Sequence, residues 1–427
     1  MINYKDYNKI KIIGITGSCG KTTTIKIVHE YLKSIGKKSV LFASCGIDLS
    51  TKNYNPSDEI EIPIYNEKSL KSALEGALLC GSEYLLLEIN ERTIENGYVK
   101  DVPFYIRALT NIIPYHNTFD YTKDEYIKIK ESFFKDIPDE QECTCIYGEV
   151  HKDYFNDLMS ANNKTKKIVT SRYIAGVRGI KEDDVDYLFY PNNEFFDSLD
   201  GLQFNVKTRD DEYLIKTNLL MPHNALNINM ALAIIDTLGE LDIEAFNQLL
   251  NSIIIPGRDE VLREKGRIVL TSISCAPHLE TLKRYKEKGL LNNIILVTGS
   301  YGSGFSTWEE KYNTDKYIKY VNDSMKFIYK YIIRNVDTVY ITSVDNANSD
   351  PLELINNQIK EVKGILEYHD FVDRKEAITK AIDNSCKGDV IFISGRGNRA
   401  IFCKTKNEID YFKDIDIAKE ALNGLKE

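Results

Sequence analysis

The stretch Lys11-Ile12-Ile13-Gly14-Ile15-Thr16-Gly17-Ser18-Cys19-Gly20-Lys21-Thr22-Thr23-Thr24 decides the reading of this chain. Its first half, Lys11 to Ile15, is an apolar run of strand character, and from about Thr22 the pattern turns helical, with Ile25, Val28 and Leu32 on one face. A glycine-rich loop between a strand and a helix start is the setting a phosphate-binding loop needs. Glycines let backbone amides curl around phosphate oxygens, and the helix N-terminus adds positive potential. In that reading Gly17, Ser18, Cys19, Gly20, Lys21, Thr22 and Thr23 form the cradle. Lys21 offsets the β/γ charge of a nucleotide, and the Thr22 hydroxyl is a magnesium ligand. The strict G-x-x-x-x-G-K spacing is not met, because Ile15 stands at its first glycine. A glycine-rich turn with a chance lysine is the competing reading, and the flanking strand and helix argue against it.

Outward from the loop, strand-like runs at Val40 to Ala43, Tyr84 to Leu87 and Ala108 to Thr110 alternate with helical periodicity. This predicts right-handed crossovers and a parallel sheet covered on both faces. From about Cys143 to Leu220 the texture becomes charged, aromatic and alternating, which predicts an antiparallel excursion before a helix containing His223 to Ile235. A second alternation follows Pro256-Gly257, with strands near Ile268 to Thr271, Ile294 to Thr298, Thr338 to Thr342 and Val390 to Ser394. The expectation is an α/β protein of two domains, residues 1–254 and 255–427, joined by a compact hinge suited to closure over substrates.

The 427 residues carry a net charge of -9 with acids and lysines intermingled, so no basic stripe offers itself to a nucleic acid. No leader-like start and no apolar stretch of membrane-spanning length is present, which points to a soluble cytoplasmic protein without a membrane partner. The eight cysteines are scattered apart from Cys143 and Cys145, and they read as reduced thiols.

The short loop followed by a run of threonines resembles the Mur ligase family, and the resemblance continues over most of the chain. It is strongest to the branch that adds lysine or diaminopimelate as third residue to UDP-N-acetylmuramoyl dipeptide. It implies a P-loop central domain with a mostly parallel sheet, then a Rossmann-like α/β C-terminal domain. It also implies ATP and Mg2+ as cofactors, and a reaction in which ATP converts a carboxylate to an acyl phosphate that an amine attacks. Leu85-Leu86-Leu87-Glu88 puts an acid at the end of an apolar strand, where open α/β sheets bind ligands. Glu88 resembles the family's magnesium ligand, although alone it would read as a strand-end surface acid. After Leu109-Thr110-Asn111-Ile112, the resemblance puts His116 at a metal-binding histidine and Lys130 at a carbamylated lysine, with Tyr126 between them. Carbamylation turns an ammonium into an anionic oxygen ligand. Without the resemblance, the helix around Lys130 would read as amphipathic with solvated lysines. Pro222-His223-Asn224-Ala225-Leu226-Asn227 resembles the helix whose first asparagine lies near the nucleotide base, and Asn224 also reads as a helix cap. Pro256-Gly257-Arg258-Asp259-Glu260 resembles the interdomain signature, which brings Arg258 to the ATP phosphates; a surface hinge arginine is the alternative.

Farther on the family chemistry changes. Ser272-Ile273-Ser274-Cys275-Ala276-Pro277 stands in place of Asp-Tyr-Ala-His with its proline, and Gly299-Ser300-Tyr301-Gly302-Ser303-Gly304 replaces a loop bearing an adenine-stacking arginine. Asp345-Asn346-Ala347-Asn348-Ser349-Asp350-Pro351 occupies the amino-acid-selecting region, with Asn348 and Asp350 as candidate substrate contacts; Asp350 reads equally as an acid at a helix start. Gly395-Arg396-Gly397-Asn398-Arg399 resembles a Gly-Lys-Gly-His-Glu signature, which makes Arg396, Asn398 and Arg399 further candidates and inverts the charge at the last position. Asp373-Arg374 keeps the family pattern. Relatives begin with a UDP-holding domain of roughly a hundred residues, whereas here the loop starts at Gly14; a separate chain supplying carrier or UDP-sugar recognition is then a possible partner. The expectation is an ATP-dependent amide ligase for small or peptide-like carboxylate and amine substrates. A divergent lysine-adding ligase of peptidoglycan synthesis and a weakened ATP-binding regulator are the alternatives.

Overall fold

The computed structural model describes residues 7, 9–49, 67–113, 121–135, 137, 142–149, 152–160, 165–172, 185–190, 196–274, 276–302, 314–346, 348–405 and 407–425. The chain divides into two compact units, Met1–Ile253 and Ile254–Glu427. No described helix is long and apolar enough to cross a membrane.

The first unit begins β1 (Lys11–Thr16), α1 (Lys21–Ser34), β2 (Ser39–Ala43), β3 (Gly46–Asp48), α2 (Glu67–Leu79), β4 (Tyr84–Glu88), α3 (Glu91–Glu95), β5 (Phe104–Asn111) and α4 (Lys123–Lys135). It continues β6 (Thr144–Glu149), α5 (Lys152–Ser160), β7 (Lys166–Arg172), β8 (Tyr187–Tyr190), β9 (Phe196–Ser198), β10 (Gly201–Lys207), β11 (Glu212–Thr217), α6 (His223–Thr237) and α7 (Ile243–Leu250). Its strands form one sheet in the order β11-β10-β8-β7-β6-β5-β1-β4-β2-β3, with β9 beside β10. β1 pairs in parallel with β4 on one side and β5 on the other, so the chain order reverses about β1. A crevice outside the carboxyl ends of the strands is where such sheets bind ligands.

The central strands are continuous apolar runs because both faces are covered. Leu85, Leu86 and Leu87 of β4 are fully buried, as are Ile12, Ile13 and Ile15 of β1. α6 is buried nearly all round, since it packs between the sheet and α1. The antiparallel excursion is shorter than its texture suggested: β6, β7 and β8 extend the parallel ladder from β5, and only the segment from β9 to β11 is antiparallel. The buried run of β6 explains the difference, because Cys145 to Glu149 face protein on both sides.

The second unit comprises β12 (Arg258–Glu264), β13 (Arg267–Ser272), α8 (Ala276–Glu287), β14 (Ile294–Tyr301), α9 (Thr314–Asn335), β15 (Thr338–Asp345), α10 (Pro351–Val362), β16 (Glu367–Asp370), α11 (Arg374–Asp383), β17 (Val390–Ser394), β18 (Ile401–Thr405), β19 (Glu408–Tyr411) and α12 (Asp414–Gly424). Its main sheet runs β12-β13-β17-β14-β15-β16, parallel from β13 onward, while β12 and β13 form an antiparallel hairpin. Helices α8 to α10 and the pair α11–α12 pack on it as two groups. β18 and β19 form a separate hairpin.

Candidate functional site

The loop between β1 and α1 takes its shape from its glycines. Gly17 and Gly20 have φ of 136° and 86°, a region that other residues enter at a cost. A Cβ on Gly17 would lie 2.1 Å from the Thr110 hydroxyl, and one on Gly20 would lie 2.2 Å from Asn227 Oδ1. The loop is therefore clamped from two sides. From β5, Thr110 Oγ1 donates to Cys19 O at 2.6 Å, and Cys19 N donates to Asn111 Oδ1 at 3.1 Å. The Ser18 hydroxyl meets Tyr126 OH at 2.8 Å and accepts from Ile113 N at 2.8 Å. From α6, Asn227 stands behind Gly20 and is itself held by Asn224 Oδ1 at 2.9 Å. No side chain caps the α1 N-terminus, so its first amides are left for a bound anion. Lys21 Nζ folds over the loop, donating to Gly17 O at 2.8 Å and Ser18 O at 3.2 Å.

Beside the loop, Thr22 Oγ1 donates to Glu88 Oε2 at 3.0 Å and contacts the Ser44 hydroxyl at 2.7 Å, while Ser44 N donates to Glu88 Oε2 at 2.8 Å. Glu88 is buried at the carboxyl end of β4. These three residues offer only oxygen donors, the set preferred by a hard divalent cation such as Mg2+.

On the other side of β1, Lys130 projects from α4 into the interior and is fully buried. Its Nζ donates to Thr16 Oγ1 at 3.0 Å and to Glu91 Oε2 at 3.1 Å. Burial lowers the Lys130 pKa to about 8, against the opposing charge of Glu91. Burial alone would raise Glu91, but the Lys130 and Lys21 charges together outweigh it and hold the carboxyl at about 2. Burial also pushes the Tyr126 hydroxyl above its ordinary range.

Asn224 is not the cap of its helix: α6 begins at His223, and Asn224 lies in its first turn, donating from Nδ2 to Leu220 O at 2.6 Å. The Asn224 side chain therefore supports the loop through Asn227. His116 lies outside the described residues.

In the second unit, Arg258 is half-buried at the start of β12, where Nη1 donates to Gly257 O at 3.2 Å. Asp350 caps α10, its Oδ1 accepting from Leu352 N at 2.9 Å, and Asn348 is exposed just before it. Arg396 turns inward and is fully buried: Nη1 donates to Asp414 Oδ1 at 3.1 Å and Nη2 to Ile401 O at 2.8 Å. Arg374 shares the same acid in a bidentate pair at 3.0 and 2.8 Å. Asn398 and Arg399 are partly exposed, and Arg399 Nη1 lies 3.6 Å from Asp345 Oδ2.

A family model described as the Mur ligase middle domain matches residues 15–235, more than half of the chain. The chain belongs to the Mur ligase family. It is an ATP-dependent ligase that joins an acid to an amine. It is 27% identical over 437 residues to the UDP-N-acetylmuramoyl-L-alanyl-D-glutamate--2,6-diaminopimelate ligase of Helicobacter pylori, covering 100% of this chain and 86% of that protein. With the Aquifex aeolicus ligase of the same name, identity is 22%, over 98% of this chain and 79% of the relative. The fold is also that of MurF ligase from Thermotoga maritima in complex with ADP, at a TM-score of 0.63 and 14% identity over 98% of this chain and 82% of that one.

Three residues that touch the loop or the side chains beside it escaped sequence reasoning. Glu91 follows Glu88 by three residues and reads there as a helix-start acid; an acid so close behind the strand end was the available signal. Ser44 directly follows β2, which pairs with β4 in the sheet, and Asn227 lies in the quoted asparagine segment, but nothing local marks either as touching the loop.

Proposed function

We propose that the first unit, residues 1–254 in the reading from sequence, holds ATP with its β- and γ-phosphates in the Gly17 to Thr23 loop. The second unit, residues 255–427, then contributes Arg258 toward the phosphates and the contacts to the amine. The observation that carries this reading is the convergence at the carboxyl ends of β1, β4 and β5 of a glycine cradle, Lys21, the Thr22–Glu88 pair and buried Lys130. A carboxylate oxygen of the acid attacks the γ-phosphorus, ADP leaves, and an acyl phosphate forms. The amine then adds to the acyl carbon through a tetrahedral intermediate that expels phosphate, loses a proton and leaves an amide.

Charge neutralisation is the main demand of the first step. Lys21 meets it at the transferring phosphoryl group, and the loop amides orient the phosphate chain. Thr22, Glu88 and Ser44 are the residues that would hold Mg2+, which when bound would supply further neutralisation of phosphate oxygens. Lys130 carries the remaining part of the proposal. An amine must be neutral to add to carbon dioxide, and a pKa of about 8 leaves roughly one lysine in ten neutral at pH 7. The product is an anionic carbamate plus a proton. With His116, that carbamate is the proposed holder of a second Mg2+.

The relatives are named as ligases of UDP-N-acetylmuramoyl-L-alanyl-D-glutamate and 2,6-diaminopimelate. For this chain we propose a small or peptide-like acid and an amino-acid-like amine, joined in the cytoplasm where ATP is supplied. The test is a screen of acid and amine pairs for ADP and phosphate release, with mass analysis of the products. A new amide, with turnover lost roughly a hundred- to thousandfold in Lys21→Ala, is the expected result. ADP release without an amide for any pair overturns the reading.

A further inference from the structure

About two turns beyond Lys21, helix α1 turns His29 toward the hairpin of β2 and the edge strand β3. The His29 ring is fully buried, and its Nδ1 meets the Ser39 hydroxyl at 2.9 Å at the start of β2. That contact fixes the ring and brings Nε2 to β3, where Asp48 Oδ2 lies 3.0 Å away. Nε2 is out of line for a hydrogen bond with that oxygen and makes none with any other described residue. Glu30, next to His29 on α1, brings a third group. One ligand atom from each of His29, Glu30 and Asp48 lies within 4.8 Å of the other two. The side chains of Asp48 and Glu30 are 31% and 27% exposed, so the cluster opens to solvent on its carboxylate side.

The two carboxylates already hold a cation. Lys33 Nζ bridges them, 2.8 Å from Asp48 Oδ2 and 3.5 Å from Glu30 Oε1, and Lys26 Nζ meets Glu30 Oε1 at 2.6 Å. These lysines balance the acids, and His29 adds no charge of its own, because burial lowers its pKa against the pull of Asp48. An Nε2 proton would have no aligned acceptor, so we assign the ring proton to Nδ1, donated to the Ser39 hydroxyl. Nε2 then carries a lone pair facing a carboxylate oxygen. Two acceptors set against each other repel, and a cation between them removes the conflict. A ring held through its other nitrogen is also how metal-bound histidines are oriented.

We propose that His29, Glu30 and Asp48 bind a divalent transition-metal ion of the zinc class, with water completing its shell and Lys33 standing in its place in the metal-free protein. One imidazole and two carboxylates suit Zn2+ or Co2+ better than Mg2+, which prefers oxygen alone. Around an ion at about 2.1 Å, tetrahedral ligand atoms stand about 3.4 Å apart. The 3.0 Å between Nε2 and Asp48 Oδ2 is already close to that. Both lysine contacts of Glu30 run through Oε1, so Oε2 can turn to the ion while Lys26 stays. Lys33 swings out, which its 33% exposed side chain permits. The bound ion ties α1, which follows the phosphate loop, to the hairpin whose turn holds Ser44 beside Glu88. The site uses none of the residues of the Thr22–Glu88 corner and does not depend on the ligase function.

Calorimetric titration of the full chain with Zn2+ under saturating Mg2+, and titration with Co2+ followed by visible absorption, test the site. The tightest Zn2+ is expected to weaken at least about tenfold in His29→Gln and in Asp48→Asn, with loss of the Co2+ band. Asp48 is partly exposed on an edge strand, so its variant keeps the test open if His29→Gln fails to fold. Lys33→Ala is expected to tighten Zn2+ about threefold, because the ion no longer competes with a partly exposed ion pair. Absence of Zn2+ binding, unchanged affinity in Asp48→Asn, or weaker or unchanged affinity in Lys33→Ala would each overturn the proposal and leave the cluster as an ion network that fastens β3 to α1.

Discussion

Replacing Glu91 with glutamine removes the counter-charge of a lysine that has no solvent to turn to. Lys130 is fully buried, and the Glu91 carboxylate 3.1 Å away is its ionic partner. Without that partner the ammonium is destabilised, but the loss is capped because Lys130 can release its proton. At pH 6, two units below a folded pKa of about 8, release costs about 3 kcal/mol at 1.36 kcal/mol per unit. At pH 7 the cap is about 1.4 kcal/mol, and by pH 9 it has vanished because the lysine is already neutral. The sign is fixed by the direction of the shift: the folded pKa lies below that of a free lysine, so the unfolded chain binds the proton more tightly and stability rises with pH between the two values. Glu91 behaves oppositely. Its folded value of about 2 means its contribution is complete above the ordinary carboxylate range and is lost progressively as pH falls from that range through about 2. Urea unfolding followed by far-ultraviolet ellipticity, with hydrogen exchange of residues 123–135 to assign the change to the first unit, measures the deficit. We expect Glu91→Gln to lose up to about 3 kcal/mol at pH 6 and almost nothing at pH 9. Glu91→Gln in a Lys130→Met background should show no such pH dependence. A deficit independent of pH, or one equally pH-dependent when Lys130→Met is also present, would refute the reasoning.

Gly20→Ala forces φ of 86° on a residue with a Cβ and drives it against Asn227; we expect roughly 2 to 4 kcal/mol of loop destabilisation, read as a loss of ATP affinity at retained far-ultraviolet ellipticity. Asp414→Asn strips the shared carboxylate from two buried guanidinium groups and should cost about 3 to 5 kcal/mol in the second unit. Hydrogen exchange of residues 374–383 followed through urea unfolding reads the loss in that unit. Lys130→Ala should abolish turnover, and ¹³C-bicarbonate should label the parent protein but not this variant; activity surviving the substitution would remove Lys130 from the metal site.

The strand–loop–helix shape between β1 and α1 was legible because its signal is local: a strand, spaced glycines, a lysine and a helix start lie within fourteen residues. Glu88 was legible as the polar end of an apolar strand. Glu91 and Ser44 were not, because their roles depend on partners brought together by sheet order; Lys130 is 39 residues from Glu91, and Glu88 is 44 from Ser44. The burial of Arg374 and Arg396 was equally hidden. An arginine in a glycine-rich turn reads as a surface group until Asp414, 40 residues from Arg374 and 18 from Arg396, is known to lie beneath it. The parallel continuation through β6 to β8 was missed because charged flanks masked short buried runs. The texture of a segment reports its average exposure, whereas strand direction is set by the connections.

The first sheet places charges of both signs at its carboxyl edge, and their balance fits the phosphoryl-transfer half of the proposed reaction. At the first edge Lys21 and Lys130 stand against Glu88 and Glu91, which leaves no positive surplus, and the proposed carbamate on Lys130 makes the edge net negative. A nucleoside triphosphate brings several negative charges to an edge with no surplus to meet them, and the oxygen-rich Thr22–Ser44–Glu88 corner adds to that repulsion. Tight binding there requires cations that arrive with the nucleotide, which is why a corner that repels bare phosphate suits a magnesium-bound one. An edge without positive surplus selects a ligand that carries its own cation.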